Sequence, residues 1–112
     1  MVARQLADHG GFVAVVDGRI VGAVLYKLLP EAIYLGRLAV PPAERGRGIA
    51  RRLLQAVEDE ARRRGAARVT LGVRIALPEN AAFFIRNGYR ETGCSTHAGF
   101  AAPTSIDMAK AL

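Results

Sequence analysis

Val40-Pro-Pro-Ala-Glu-Arg-Gly-Arg-Gly-Ile-Ala-Arg51 decides the fold. An apolar, strand-like run ends at Val40, two prolines turn the chain, and a helical pattern begins at Ile49. From there Ile49, Ala50, Leu53, Leu54, Val57 and Ala61 fall on one face at helical spacing. Three acid-to-Arg pairs at i, i+4 support the other face: Glu58/Arg62, Asp59/Arg63 and Glu60/Arg64. Gly65 supplies the left-handed stop, and Val69 to Val73 is a short apolar strand. Strand, helix and strand make a right-handed crossover, so this last strand is expected to lie parallel to the one ending at Val40.

Working back from the turn, Ala32 to Val40 is one strand and Ile20 to about Leu29 another, with Pro30-Glu31 as the break. Phe12 to Val16 precedes them across Asp17-Gly18, a pair suited to the two positive φ angles of a type I′ hairpin. The residues before Phe12 read as the end of a helix. Working forward, Pro78 opens a second helix and Gly88 closes it. Tyr89 to Thr92 and Ser105 to Lys110 then form two final strands joined by the loop 93–104. The expected class is α/β, with an antiparallel meander, one parallel β-α-β crossover and a closing hairpin. Residues 1–112 read as one domain.

Charge narrows the function. The chain carries +6, and Arg supplies fourteen of its sixteen cations, which points to an anionic partner. Nucleic acid is the weaker choice, because there is neither a helix-turn-helix pattern nor a strand interleaving aromatic and basic residues. Arg62-Arg63-Arg64 reads as a solvated face, and Phe83, Phe84 and Ile85 as packing of the second helix onto the sheet. One cysteine, Cys94, asks for no oxidising compartment, and with His9 and His97 it makes no metal site. No apolar run approaches the roughly 20 residues of a membrane span. A cytoplasmic protein without membrane or metal is expected.

The glycine-rich turn gives the anion an address. A helix N-terminus offers free amides and the positive end of the macrodipole. Gly46 and Gly48 put no side chain before those amides, and Arg45, Arg47 and Arg51 add charge. A P-loop is excluded by the absence of Gly-Lys-Ser/Thr. The dinucleotide fingerprint is excluded by Arg51 at its third glycine and Arg68 where its acid would stand.

Arg45-Gly-Arg-Gly-Ile-Ala50 resembles the Arg/Gln-x-x-Gly-x-Gly/Ala motif of the GNAT superfamily of acyl-CoA N-acyltransferases. Leu38-Ala-Val-Pro41 before it and Arg52-Leu-Leu54 after it fit the same context, and Glu79-Asn80 through Phe84 to Gly88-Tyr89 resembles a second family motif. The resemblance covers about residues 10–112. It implies that the amides of Arg45, Gly46, Arg47, Gly48, Ile49 and Ala50 hold the pyrophosphate of acetyl-CoA, with Arg51 alongside. It also implies that Leu38, Ala39 and Val40 splay from Val69–Val73 to admit the pantetheine arm, and that Asn80 and Phe84 flank it.

The chemistry needs a neutral amine, a stabilised oxyanion and a proton for the departing thiolate. By resemblance a backbone N–H near Leu38 or Ala39 serves the oxyanion. The tyrosine that often protonates the thiolate is Phe84 here, and no carboxylate lies on Tyr34 to Val40. Tyr34 and His97 are the side-chain candidates, His97 because imidazole titrates near neutrality in a loop by the sheet's open end. The activity implied is transfer of acetyl to a primary amine, of a small molecule or a peptide, by direct attack in a ternary complex. A non-catalytic acyl-CoA-binding module is the alternative. The resemblance starts at the family's second strand, with the usual first strand and first helices missing, so the acceptor side is expected to be either incomplete or borrowed from a second subunit in a homodimer.

Overall fold

Asp17 and Gly18 adopt φ of 50° and 77°, the double positive-φ turn that an Asp-Gly pair favours. They join β2 (Gly11–Val16) to β3 (Arg19–Leu28), which returns through β4 (Ala32–Ala39). The computed structural model describes residues 2–5, 10–76, 78–96 and 98–112. Helix α1 (Ile49–Arg63) leads to β5 (Arg68–Arg74), α2 (Pro78–Arg86), β6 (Arg90–Ser95) and β7 (Ser105–Ala111). With β1 (Val2–Gln5) the strands form one seven-stranded sheet in the order β1-β2-β3-β4-β5-β7-β6. Every neighbouring pair is antiparallel except β4 and β5. Among the described residues no helix is long and apolar enough to cross a membrane.

Two expectations change at the edges. The start is not a helix end: β1 pairs antiparallel with β2, Val2 opposite Val15 and Gln5 opposite Phe12, so the sheet position beside β2 is filled. The sixth strand runs on to Ser95 rather than stopping at Thr92. All six of its residues are exposed, because an edge strand paired on one side needs no apolar face to hold its register.

Alternate strand residues and α1 enclose the core. Leu53, Val57, Val24, Val69 and Met108 are fully buried, and Phe84 of α2 joins the same cluster. Gly22 lets α1 approach: a Cβ there would stand 2.9 Å from Ile49 Cγ2 and 3.1 Å from Leu53 Cδ1. Phe84 sits edge-on between Phe83 and Tyr89, at ring separations of 5.1 and 5.5 Å. Ile85, expected to pack inward, is instead exposed.

The charged face of α1 is also rearranged. Asp59 pairs with Arg62, and Glu60 holds both Arg63 and Arg64, so Arg63 keeps the Glu60 carboxyl below its usual range. Glu58 does not meet Arg62. It is buried, accepts a hydrogen bond from Tyr89 Oη at 2.8 Å, and pairs with Lys110 Nζ at 3.0 Å. Burial, then the bond to Glu58, pushes the Tyr89 phenol well above its ordinary pKa. This bridge ties α1 to the end of α2 and to β7, and so sets both helices on one face of the sheet. The opposite face carries Leu25 and Tyr34, exposed by 43% and 37%.

Candidate functional site

The parallel pairing of β4 and β5 runs from Ala32–Arg68 to Leu35–Leu71 and then stops. Both strands continue, β4 to Ala39 and β5 to Arg74, so the sheet opens into a gap beyond Leu35 and Leu71. In the β3 pairing, Leu25 faces Arg37 and Tyr26 faces Leu35, which leaves Gly36 as an extra residue. That bulge bends β4 where the gap begins. On the β5 side, backbone groups of β4 past Leu35 have no strand partner, as an extended ligand arm requires.

The glycine-rich turn lies at the far end of this strand. Pro42–Glu44 makes one 3-10 turn, and Gly46 and Gly48 follow with φ of 81° and 76°. Nothing lies within 4 Å of where a Cβ on either glycine would point, so the approach to the backbone is open. Gly48 is the N-cap of α1 and no side chain caps it. The first helical amides are therefore free for an anion, the arrangement a pyrophosphate fits.

The cations divide. Arg45 Nε donates to Val40 O at 3.3 Å, fastening the turn to the end of β4. Arg47 is held by Glu44 at 3.2 Å, and the other oxygen of Glu44 holds Arg19 at 3.1 Å. The Arg51 side chain has no hydrogen bond or ion pair among the described residues. It borders a polar cleft of about 280 Å³ that runs down the flank of α1 past Gln55 and Arg62, with Asn87 and Lys110 opposite. That cleft is separate from the β4–β5 gap.

Leu38, Ala39 and Val40, with Arg45 through Arg51, are thus brought together at one corner of the molecule. Asn80 is exposed in the first turn of α2, which follows β5. Phe84 is buried, 6% exposed, with its ring committed to Phe83 and Tyr89. Tyr34 stands on the helix-free face, its Oη reaching over Gly72. His97 lies outside the described residues. Sequence reasoning missed Glu44, which positions Arg47, and Asp107, which Ser95 Oγ contacts at 2.9 Å beside Gly72. Asp107 gains its neighbours from other strands, and Glu44 meets Arg19 of β3 as well as the nearby Arg47.

Comparison with known proteins accords with this geometry. The model of the Acetyltransferase (GNAT) family matches residues 3–89. No curated protein sequence matches the chain. Among solved structures, a nourseothricin acetyltransferase superposes with a TM-score of 0.82 at 26% identity, over 90% of this chain and 64% of its own. The PaiA N-acetyltransferase of Thermoplasma acidophilum, solved with coenzyme A, gives 0.80 at 20% identity, over 91% and 60%. The ribosomal-protein-S18-alanine N-acetyltransferase of Escherichia coli gives 0.78 at 23%, over 96% and 71%. The chain thus spans less than two thirds of the first two. With the family model over most of its length, a sheet that opens between β4 and β5 and an uncapped glycine-rich helix start beside the opening, the chain belongs to the GNAT acetyltransferase family.

Proposed function

We propose that the protein transfers the acetyl group of acetyl-CoA to an amine by direct attack, without a covalent acyl-enzyme. The observation that carries this reading is the uncapped start of α1, with two left-handed glycines open to solvent, beside the gap where β4 and β5 part. The amides from Arg45 to Ala50 hold the pyrophosphate, Arg51 adds charge, and Leu38 to Val40 pair with the pantetheine arm. Asn80 borders that arm from α2. A β4 amide past the bulge stabilises the oxyanion, where a fixed dipole in a partly dry gap outperforms water. The 26% identical neighbour named as a nourseothricin acetyltransferase supports acetyl transfer.

Calorimetry with acetyl-CoA tests the cofactor half. Saturable binding by the intact protein is expected, and Gly48→Glu should weaken it by at least about tenfold by placing a carboxylate where phosphate charge must sit. Absence of binding by the intact protein sinks the proposal. A second reading, an acyl-CoA-binding module without turnover, is favoured by one observation. Phe84 is locked in the core, and the nearby phenol of Tyr89 is spent on Glu58, so neither offers the thiolate a proton. Release of free thiol with an amine panel decides between them: acetyl-CoA binding with no release supports the module.

A further inference from the structure

The net positive charge of the chain gathers on the helix-free face of the sheet. Strand registers place Arg4 of β1, Lys27 of β3, Arg37 of β4, Arg68 and Arg74 of β5 and Arg90 of β6 on that face, with Tyr34 and Leu25. All six cations are exposed, and among the described residues none makes an ion pair. Among the described residues the strands present one acid there, Asp107, which accepts a hydrogen bond from Ser95. The helix side is different: Arg19, Arg47, Arg62, Arg63, Arg64 and Lys110 are each paired with a carboxylate. Six cations against one acid leave five positive charges on the sheet face, in a chain of net charge +6.

Register also aligns a track across this face. Lys27 stands opposite Tyr34, Tyr34 opposite Thr70, Thr70 opposite Ala109, and Ala109 opposite Arg90. At about 4.8 Å per strand the track runs about 19 Å, with a cation at each end and an aromatic ring between. Tyr34 Oη stands 3.6 Å from where a Cβ on Gly72 would lie, so the ring lies along the sheet toward β5 and turns one face to solvent. The Gly36 bulge adds a residue between Tyr34 and Arg37, which brings Arg37 to the same face, opposite Leu25. Arg68, two residues before Thr70, flanks the track on the other side. This alternation of ring and cation forms across strands and leaves no period-two pattern along any one of them, which is why the sequence pointed away from nucleic acid.

We propose that the helix-free face binds single-stranded nucleic acid, with phosphates on the six cations and a base stacked on Tyr34. A second copy of this chain would bring like charge to the same face. Five of the six cations are Arg, whose planar fork holds phosphate oxygens in pairs. An exposed ring beside them offers a base a stacking surface, the pairing of features that single strands use. A duplex hides its base faces and gains nothing from the ring. The site goes beyond acetyl transfer and does not depend on it.

The test is fluorescence anisotropy of the intact protein with an unstructured, end-labelled RNA of about 12 nucleotides. Saturable binding is expected, with log Kd rising against log salt at a slope of about 4 for six phosphate contacts. Replacing Arg68 and Arg90 together by Gln should lower that slope to about 3. Acetyl-CoA affinity of the same double variant, measured by calorimetry, should change less than about twofold, which also shows that it is folded. Tyr34→Leu should weaken RNA binding at least about fivefold at fixed salt without changing the slope, and Tyr34→Phe should restore it, because only the ring is needed. The same strand annealed to its complement should bind at least about tenfold more weakly. The proposal is overturned if the single strand does not bind, if the duplex binds equally well, or if Tyr34→Leu matches wild type. It is also overturned if a poly-glutamate peptide of equal charge competes as well as the RNA, which would mark the face as a dock for acidic protein. RNA binding by a protein that takes no acetyl-CoA would overturn the transferase reading and support this one.

Discussion

Replacing Tyr89 by Phe removes one oxygen from a buried bridge and leaves the ring contact with Phe84 at 5.5 Å in place. At neutral pH Glu58, still paired with Lys110, loses its 2.8 Å bond from the phenol. A hydrogen bond to a charged group contributes about 1.5–3 kcal/mol, and the remaining cation keeps the loss near about 2 kcal/mol. For a domain of this size that lowers the melting temperature by about 10 °C. The alkaline limb is the sharper readout. The folded state holds the Tyr89 proton well above the ordinary value of 10.0. Between the unfolded and folded pKa the native protein therefore binds more protons than the unfolded chain. Stability then falls as pH rises above about 10, by up to about 1.4 kcal/mol per pH unit. Urea unfolding between pH 8 and 11 should show wild type losing about 1.4 kcal/mol more than Tyr89→Phe by pH 11. Parallel curves for the two proteins would refute the reasoning.

Leu53→Ala, at a side chain with no exposure, should cost about 2.7–5 kcal/mol and move the urea midpoint without changing its slope much. Gly18→Ala meets nothing within 4 Å, so its cost is backbone strain at φ 77° alone, about 1–2 kcal/mol in thermal unfolding. Glu44→Gln releases Arg47 and Arg19 and removes one negative charge from beneath the glycine-rich turn. It should tighten acetyl-CoA binding about two- to fivefold by calorimetry, and lower stability by about 1–3 kcal/mol because the buried Glu44 carboxylate gives up its charged bonds to both Arg side chains.

The central elements were legible because their chemistry is local. Asp17-Gly18 needs two positive φ angles, and Gly46 and Gly48 open a helix start, whatever the rest of the chain does. The apolar stripe of α1 is equally self-contained. Glu58 was misread for the opposite reason. Spacing along a helix pairs it with Arg62, but its partners stand 31 and 52 positions away, and only the packed sheet brings them near. Edge strand β1 left little trace, being short, and β6 was read only as far as Thr92 because its exposed residues carry no apolar alternation. Asp107 and Tyr34 flank Gly72 only because β7 inserts between β5 and β6, an order that no local pattern encodes.

The opening between β4 and β5 also bears on how the molecule is assembled. Residues 2–39 build four strands by successive short returns, and residues 68–112 build the other three. The two blocks share a seam that pairs only from Ala32–Arg68 to Leu35–Leu71. Local returns close quickly, whereas that seam must wait for α1 to carry the chain across. Backbone amides of β4 past Leu35 that have no strand partner should exchange with solvent sooner than those of the paired seam. A ligand lying in the gap with its own amides extends the seam, so it acts as a staple between two half-sheets. Its affinity then appears directly as resistance to their separation.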